Sequence, residues 1–479
     1  MEVAGGIQWL EQAQTKIMND DNSDRVKHDN IQNTVKETIS SARNQSDNID
    51  EYVKDVNERY ELAEARSAVK HIEYIMKYIV DENFVYPKDY DKWTNDEKYE
   101  YAIDSIIKKS IPNIPDSVSY LLPAVKYRGD CGRNSTDKPL WLDMEMFQRG
   151  QKFVRDHDFS NFVANALSLF VIFSSTNGLK PLIFSRQSHT PYLAFKRYVS
   201  TACRVTNWMT YDPWTVGTRA YNDVQAVRRM HRAVRLQLCE RDDVEIDMAC
   251  KIRNPWCPDR ETILEDFSSC PALMKNGINI CEIISQSAKG LNQADMAATQ
   301  FAFLGLIVLY PHELGFHASD EDMAAFCHTW RGLGYLLGME DQYNFCRGSL
   351  KEIKQRSRDF VEFFMKPSLL KVTPEWEHML RCFIEGSVYF GNICSFKVFL
   401  LFVTDLLNFD MPRMRSTLTY SERLLLMLLR FTLRYACKLR FVRECLNKIF
   451  QKTLDKAVKA GPEKHKKFKK RSQKLVDED

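Results

Sequence analysis

The sequence predicts an all-α protein, and three observations carry that expectation. Gly and Pro are scarce, 18 and 16 in 479 residues, which disfavours glycine-rich β architectures. Apolar types make up 44% and aromatics 12%, enough for a sizeable core and above the level of a disordered chain. Apolar residues also recur at helical spacing, as at Val69, Ile72, Ile75, Met76 and Ile79.

The elements follow in order. Residues 1–66 hold 8 basic and 14 acidic side chains and few large apolar ones, and read as a polar arm, helical or disordered. Residues 67–445 read as one helical domain, and 446–479 as a basic tail. Val85 to Asp91 and Tyr120 to Pro139 are irregular. Phe159 to Leu179 is the longest uncharged stretch, but Ser160, Asn161, Asn165 and Ser174 make it too polar for a membrane span. It reads as a buried helix plus a turn. Asp212-Pro213 marks a turn, with Thr218 or Asn222 as the cap of the next helix. Ser319 caps a helix with Asp322 at its third position, ending near Gly332 or Gly334. Pro367, Pro374 and Pro412 are expected breaks further on.

Two segments near the C-terminus carry charge beside apolar bulk. Leu424, Leu425, Leu426, Leu428, Leu429 and Phe431 are flanked by Arg430, Arg434, Lys438, Arg440 and Arg443, a composition suited to a bilayer surface or to the core. Lys448 to Asp479 holds 11 basic and 5 acidic residues, a solvated tail or a contact with an anionic membrane face.

Composition excludes several classes. A formal charge of +3 argues against a nucleic-acid binder. Thirteen cysteines, an odd number at irregular spacing and without a Cys-x-x-Cys pair, support neither a disulfide framework nor a zinc ribbon, and read as reduced thiols in an intracellular compartment. Without Cys-x-x-Cys-His there is no covalent c-type haem motif. His312 and His317 are five apart, not four, so His-Glu-Leu-Gly-Phe-His is not a zincin motif. No phosphate-binding Gly loop or Rossmann fingerprint is present. The first ten residues lack a basic start followed by an apolar run, so no secretory signal is expected.

The informative stretch pairs Arg197-x-x-x-Thr201 with Arg228-x-x-His231-x-x-x-Arg235. On a helix the last three fall at about 0°, 300° and 340°, one narrow stripe. An imidazole between two guanidinium groups suits a metal-bearing, anionic cofactor, because nearby cations keep the ring neutral. A histidine on a basic helix is also an ordinary structural residue.

The order of the segments adds to that reading. Arg197 to Thr201, Arg228 to Arg235, Asp295 to Phe303, and His328-x-Trp330-Arg331-x-x-Gly334-x-x-x-Gly338 together resemble the catalytic domain shared by rubber oxygenases (latex-clearing proteins) and the endoplasmic-reticulum-bound oxygenase of mycophenolic acid biosynthesis. The resemblance covers about residues 165–350.

It implies a globin-like, multi-helix core holding one non-covalent haem b, with dioxygen used on an apolar, isoprenoid or lipid-like substrate. His231 would be the axial iron ligand, Arg228 and Arg235 propionate or outer partners, and Arg197 and Thr201 distal catalytic residues. Tyr198, Trp208, Phe301 and Phe303 would line the substrate space. In rubber oxygenases a distal lysine stands three residues after the arginine; here that position is Ser200, and no acidic distal base can be placed. The alternative is therefore a catalytically inactive haem-fold or membrane-associated binding protein. The expected setting is cytoplasmic or on the cytosolic face of the endoplasmic reticulum, with peripheral membrane contact through the basic C-terminal region.

Overall fold

A computed structural model describes residues 46–80, 83–110, 113–270, 288–389 and 395–476. The described residues are all-α, with a single isolated β-bridge, Arg128 to Asn292, and no strand. The main helices are α1 (Ser46–Ile79), α2 (Asn95–Ser110), α3 (Met144–Asp156), α4 (Asp158–Ile172), α5 (Thr176–Phe184), α6 (Pro191–Thr210), α7 (Arg219–Cys239), α8 (Asp243–Ala249) and α9 (Arg260–Ser268). They continue as α10 (Gln293–Leu309), α11 (Asp320–Leu336), α12 (Leu350–Phe360), α13 (Pro374–Val388), α14 (Phe396–Leu406), α15 (Tyr420–Arg434), α16 (Arg440–Val458) and α17 (Pro462–Ser472).

Two compact units divide the chain: Met1–Leu62 with Ala460–Lys467, and Ala63–Lys459 with Phe468–Asp479. Of the first, the described part is the start of α1 and of α17. The expected arm therefore lies outside the described residues up to 45, and beyond that it is the opening of α1. Neither expected domain edge coincides with a break, since 66/67 falls inside α1 and 445/446 inside α16.

In the second unit the closest packing joins α3 to α11, α6 to α13, and α4 to α10. Small residues set these approaches. At Gly386 a methyl group would come within 2.8 Å of the Phe195 backbone nitrogen, so only glycine lets α13 lie this close to α6. The core is aromatic-rich: Phe301 packs between Phe345 and Phe360, and Phe303 stacks on Trp330 at 4.3 Å. The uncharged stretch forms α4 and the first part of α5, with a turn between, as expected. Among the described residues no single helix is long and apolar enough to cross a membrane. The α4 and α5 pair passes by length and composition only together, and it is bent by 109° between them.

Helix ends follow local chemistry. Thr218 caps α7 through the Tyr221 N–H, and Ser319 caps α11 through the Asp322 N–H. That helix runs past the expected stop at Gly334 to Leu336, and Gly338 then turns the chain with φ of +94°. Pro374 and Pro412 open helices, at the position where a missing N–H costs nothing. Pro367 is a correction. The backbone stays helical across it: a π turn at Val361–Met365 precedes it, and Pro367 lies in the first turn of the following segment, Lys366–Leu369, where a missing N–H costs little. All eleven described cysteines are free thiols, and Cys445 alone among them is exposed.

Candidate functional site

The site residues expected from the sequence sit on α6 and α7. Thr190 caps α6, and Pro191 fills the first helical position. A short turn at 211–218 returns the chain into α7, locked by the Thr218 hydroxyl donating to the Asp212 carbonyl at 2.7 Å. The two helices pack together. Near the turn, Asn207 donates to Asp223 at 2.7 Å and the Arg204 guanidinium lies 3.8 Å from the same carboxylate.

Further along the pair stand Arg197 and His231. Burial pushes the His231 imidazole down to about 4, and the charges of Arg197 and Arg204 add to the effect against the pull of Asp130. The ring is therefore neutral at physiological pH. Its Nδ1 is buried with no hydrogen-bond partner among the described residues. The Arg197 guanidinium is pressed below its usual range by burial. Its one hydrogen bond there is a long one to the Ser188 hydroxyl, 3.4 Å. Buried cations and imidazoles normally find partners, so this juxtaposition is a local deficit of acceptors. Tyr198 beside it packs edge-on to Phe383 at 4.6 Å, and burial raises its hydroxyl to about 12.

Arg228 and Arg235 stand differently. Arg228 grips Asp130 with two hydrogen bonds, 2.9 Å from Nε and 2.7 Å from Nη2, and also reaches the Arg133 carbonyl at 2.7 Å. Arg235 grips Glu64 in the same forked manner, at 2.7 and 2.6 Å, and donates to the Lys289 and Gly290 carbonyls. Both guanidinium forks expected to meet cofactor carboxylates are thus filled by protein carboxylates. Through them α7 is tied to the 126–133 segment and to the entry of α10.

That tie extends to the other motif segments. Cys131 N–H donates to the Gly338 carbonyl, Arg133 reaches the Tyr335 and Met339 carbonyls, and Gln293 reaches those of Arg128 and Gly338. Asp295 closes the capping box of α10 and accepts the Leu291 N–H at 2.8 Å. Burial raises its carboxyl to about 6. Gly338 is required by its φ and by Asp130, whose carboxylate oxygen would lie 2.4 Å from any added methyl.

The remaining expectations are placed as follows. The Thr201 hydroxyl donates back to the Arg197 carbonyl at 3.1 Å, inside its own helix. Phe301 and Phe303 belong to the packed core. Trp208 is buried, with its indole N–H unpartnered among the described residues. His328 meets the backbone of Asp143 through Nε2 at 3.1 Å. His312 and His317 stack, but among the described residues no group of three or more His, Cys, Asp and Glu side chains is placed to hold a metal ion.

Sequence reasoning missed a second polar cluster, on α13. His378 Nδ1 accepts the Trp256 N–H at 2.9 Å, which leaves Nε2 to donate to the His189 carbonyl at 2.8 Å. Arg381 bridges Glu377 and Asp259. The signal was the pair Glu377 and Arg381, four apart on one helix face.

No protein-family model matches the chain, and no curated protein matches it. Among solved structures the chain is similar to the latex clearing protein LCP in its closed state, at 16% sequence identity and a TM-score of 0.39, over 78% of this chain and 91% of that one. At this level the all-α assignment stands on the chain's own helices.

Proposed function

We propose that the chain is a haem b dependent oxidoreductase that uses dioxygen on an apolar substrate. The observation that carries the reading is His231, a neutral imidazole whose Nδ1 is buried with no hydrogen-bond partner among the described residues, near the Arg197 guanidinium, which has no carboxylate partner among them. The four ordered sequence segments support it. The donor set fits an iron porphyrin, which an uncharged imidazole such as that of His231 would hold.

In this reading His231 would hold the iron. Arg197 is the cation left to meet an acidic arm, since Arg228 and Arg235 keep Asp130 and Glu64. The bound group would supply the activation of dioxygen, which no side chain performs alone. The chain's own contribution is positional. Burial keeps the imidazole deprotonated, and the charges of Arg197 and Arg204 add to it. The Asp130 and Glu64 pairs fix the stripe of α7 on which it stands. The Tyr198 phenol, raised to about 12 by burial, stays protonated beside Arg197.

Haemin titration of the purified chain tests this. A Soret band that forms in the native chain and is lost in His231→Ala supports it, while its absence from the native chain refutes it. A second reading, a haem-binding protein without turnover, is favoured by Ser200 and by the Thr201 hydroxyl being spent on its own helix. Oxygen uptake with isoprenoid alkenes separates the two.

A further inference from the structure

Helix α15 is apolar on two opposite faces. Leu426 and Leu433 point into the core. Tyr420, Leu424, Met427, Leu428 and Phe431 are exposed, Tyr420 by 84% and Phe431 by 58%. On a helix these five fall within about 100° of arc, opposite the two buried leucines. The strip continues past the helix end through Tyr435 and Leu439, both about half exposed, to Phe441. Scattered exposed leucines need no explanation, but a continuous strip of large apolar side chains marks a contact surface.

Charge narrows what the surface meets. Residues 413–443 hold eight Arg and Lys and one acid, Glu422. Several of these cations are spent internally: Arg413 on Glu265 and Asp266, Arg415 and Arg430 on Asp405. The cations that border the exposed strip are different. Arg423, Arg434 and Lys438 are exposed and have no carboxylate partner among the described residues. Arg434 and Lys438 both lie over the ring of Tyr435, at 5.8 and 5.6 Å from its centre. An exposed tyrosine between two cations, next to a leucine and phenylalanine strip, matches the profile of an interface between hydrocarbon and anionic headgroups.

We propose that the face formed by α15 and the following corner docks on an anionic lipid bilayer, with Leu428 and Phe431 entering the acyl boundary and Arg423, Arg434 and Lys438 meeting headgroup phosphates. The α15 face is a working surface independent of any cofactor at His231, so the two readings fail separately. An enzyme with an apolar substrate would gain from it, because such substrates partition into membranes.

Sedimentation of the full chain with vesicles tests the proposal. Vesicles of phosphatidylcholine containing phosphatidylserine should bind the chain, phosphatidylcholine alone much more weakly, and added salt should release it. Leu428→Glu with Phe431→Glu should weaken binding by about tenfold or more, as should Arg423→Glu with Arg434→Glu and Lys438→Glu. These side chains are exposed, so thermal unfolding should not change. Val244→Glu with Met248→Glu, on α8, alters exposed apolar bulk elsewhere and should leave binding intact. Equal binding by the native chain and the α15 variants overturns the proposal. So does a native chain that ignores vesicles but forms a dimer in light scattering that Phe431→Glu disperses, which would assign the face to a second copy.

Discussion

The Arg228 guanidinium and the Asp130 carboxylate, 98 residues apart in sequence, meet through two parallel hydrogen bonds of 2.9 and 2.7 Å. Both side chains are nearly withdrawn from solvent. The pair therefore acts as a clamp between α7 and the 126–133 segment, which in turn carries the exit of α11 at Gly338.

Arg228→Ala strands a buried carboxylate, and breaking such a pair costs about 3 kcal/mol. Urea unfolding should show that loss. Arg228→Met combined with Asp130→Leu removes both charges and should recover most of it. If the single variant unfolds at the native denaturant concentration, the clamp is not structural.

His231 makes the chain sensitive to acid. The free imidazole titrates near 6.5 and the folded one at about 4. Between those values the unfolded chain binds the proton and the folded chain does not. The contribution is therefore complete above about pH 6.5 and declines as pH falls towards 4, by roughly 3 kcal/mol in all. His157, also pushed down to about 4 by burial, acts in the same direction. Asp158 and Asp295, raised to about 6, oppose it, since their folded forms hold the proton more firmly. The comparison to make is thus between variants. His231→Gln and His157→Gln should each flatten the fall of the melting temperature between pH 7 and 4.5. Parallel curves for native chain and variants would contradict this.

Arg197 should matter for a porphyrin more than for the fold. Among the described residues it has one long hydrogen bond to lose, 3.4 Å to Ser188. Arg197→Ala should weaken haemin binding about tenfold or more, the worth of one charge-assisted contact, with Arg197→Lys intermediate. Melting of the unloaded chain should change little. A drop in melting temperature with unchanged haemin affinity would reverse the assignment.

Two glycines separate strain from contact. Gly217 and Gly338 both have positive φ, +88° and +94°. Nothing lies within 4 Å of a methyl built on Gly217, whereas Asp130 lies 2.4 Å from one built on Gly338. Gly217→Ala should cost about 1 kcal/mol from backbone strain alone. Gly338→Ala should cost clearly more, because the Asp130 clamp must also shift. Equal losses in chemical denaturation would argue against that contact.

Local chemistry was legible in the sequence and distant pairing was not. The Ser319 and Thr218 caps, the helix and turn within Phe159–Leu179, and the all-α class follow from residues within a few positions of one another. His231, Arg228 and Arg235 could be placed on one stripe, yet the partners that occupy the two arginines are Asp130 and Glu64, 98 and 171 residues away. Pro367 misled because a π turn just before it leads into a new helical segment that holds it in its first turn, and no local signal marks such a turn. In α15 the leucines were visible, but with both faces apolar the pattern could not say which one faces water.

The distribution of thiols has a practical corollary. Burial raises Cys239 and Cys257 to about 12, which suppresses their thiolates, while Cys445 stands exposed on α16. It lies one helical turn after Phe441, on the same side of that helix. With Cys281 and Cys394 replaced by serine, an environment-sensitive maleimide dye at Cys445 becomes an optical reporter at the rim of the apolar strip. Its emission would shift to the blue when Phe441 leaves water, giving a real-time signal of adsorption and release without disturbing the strip itself.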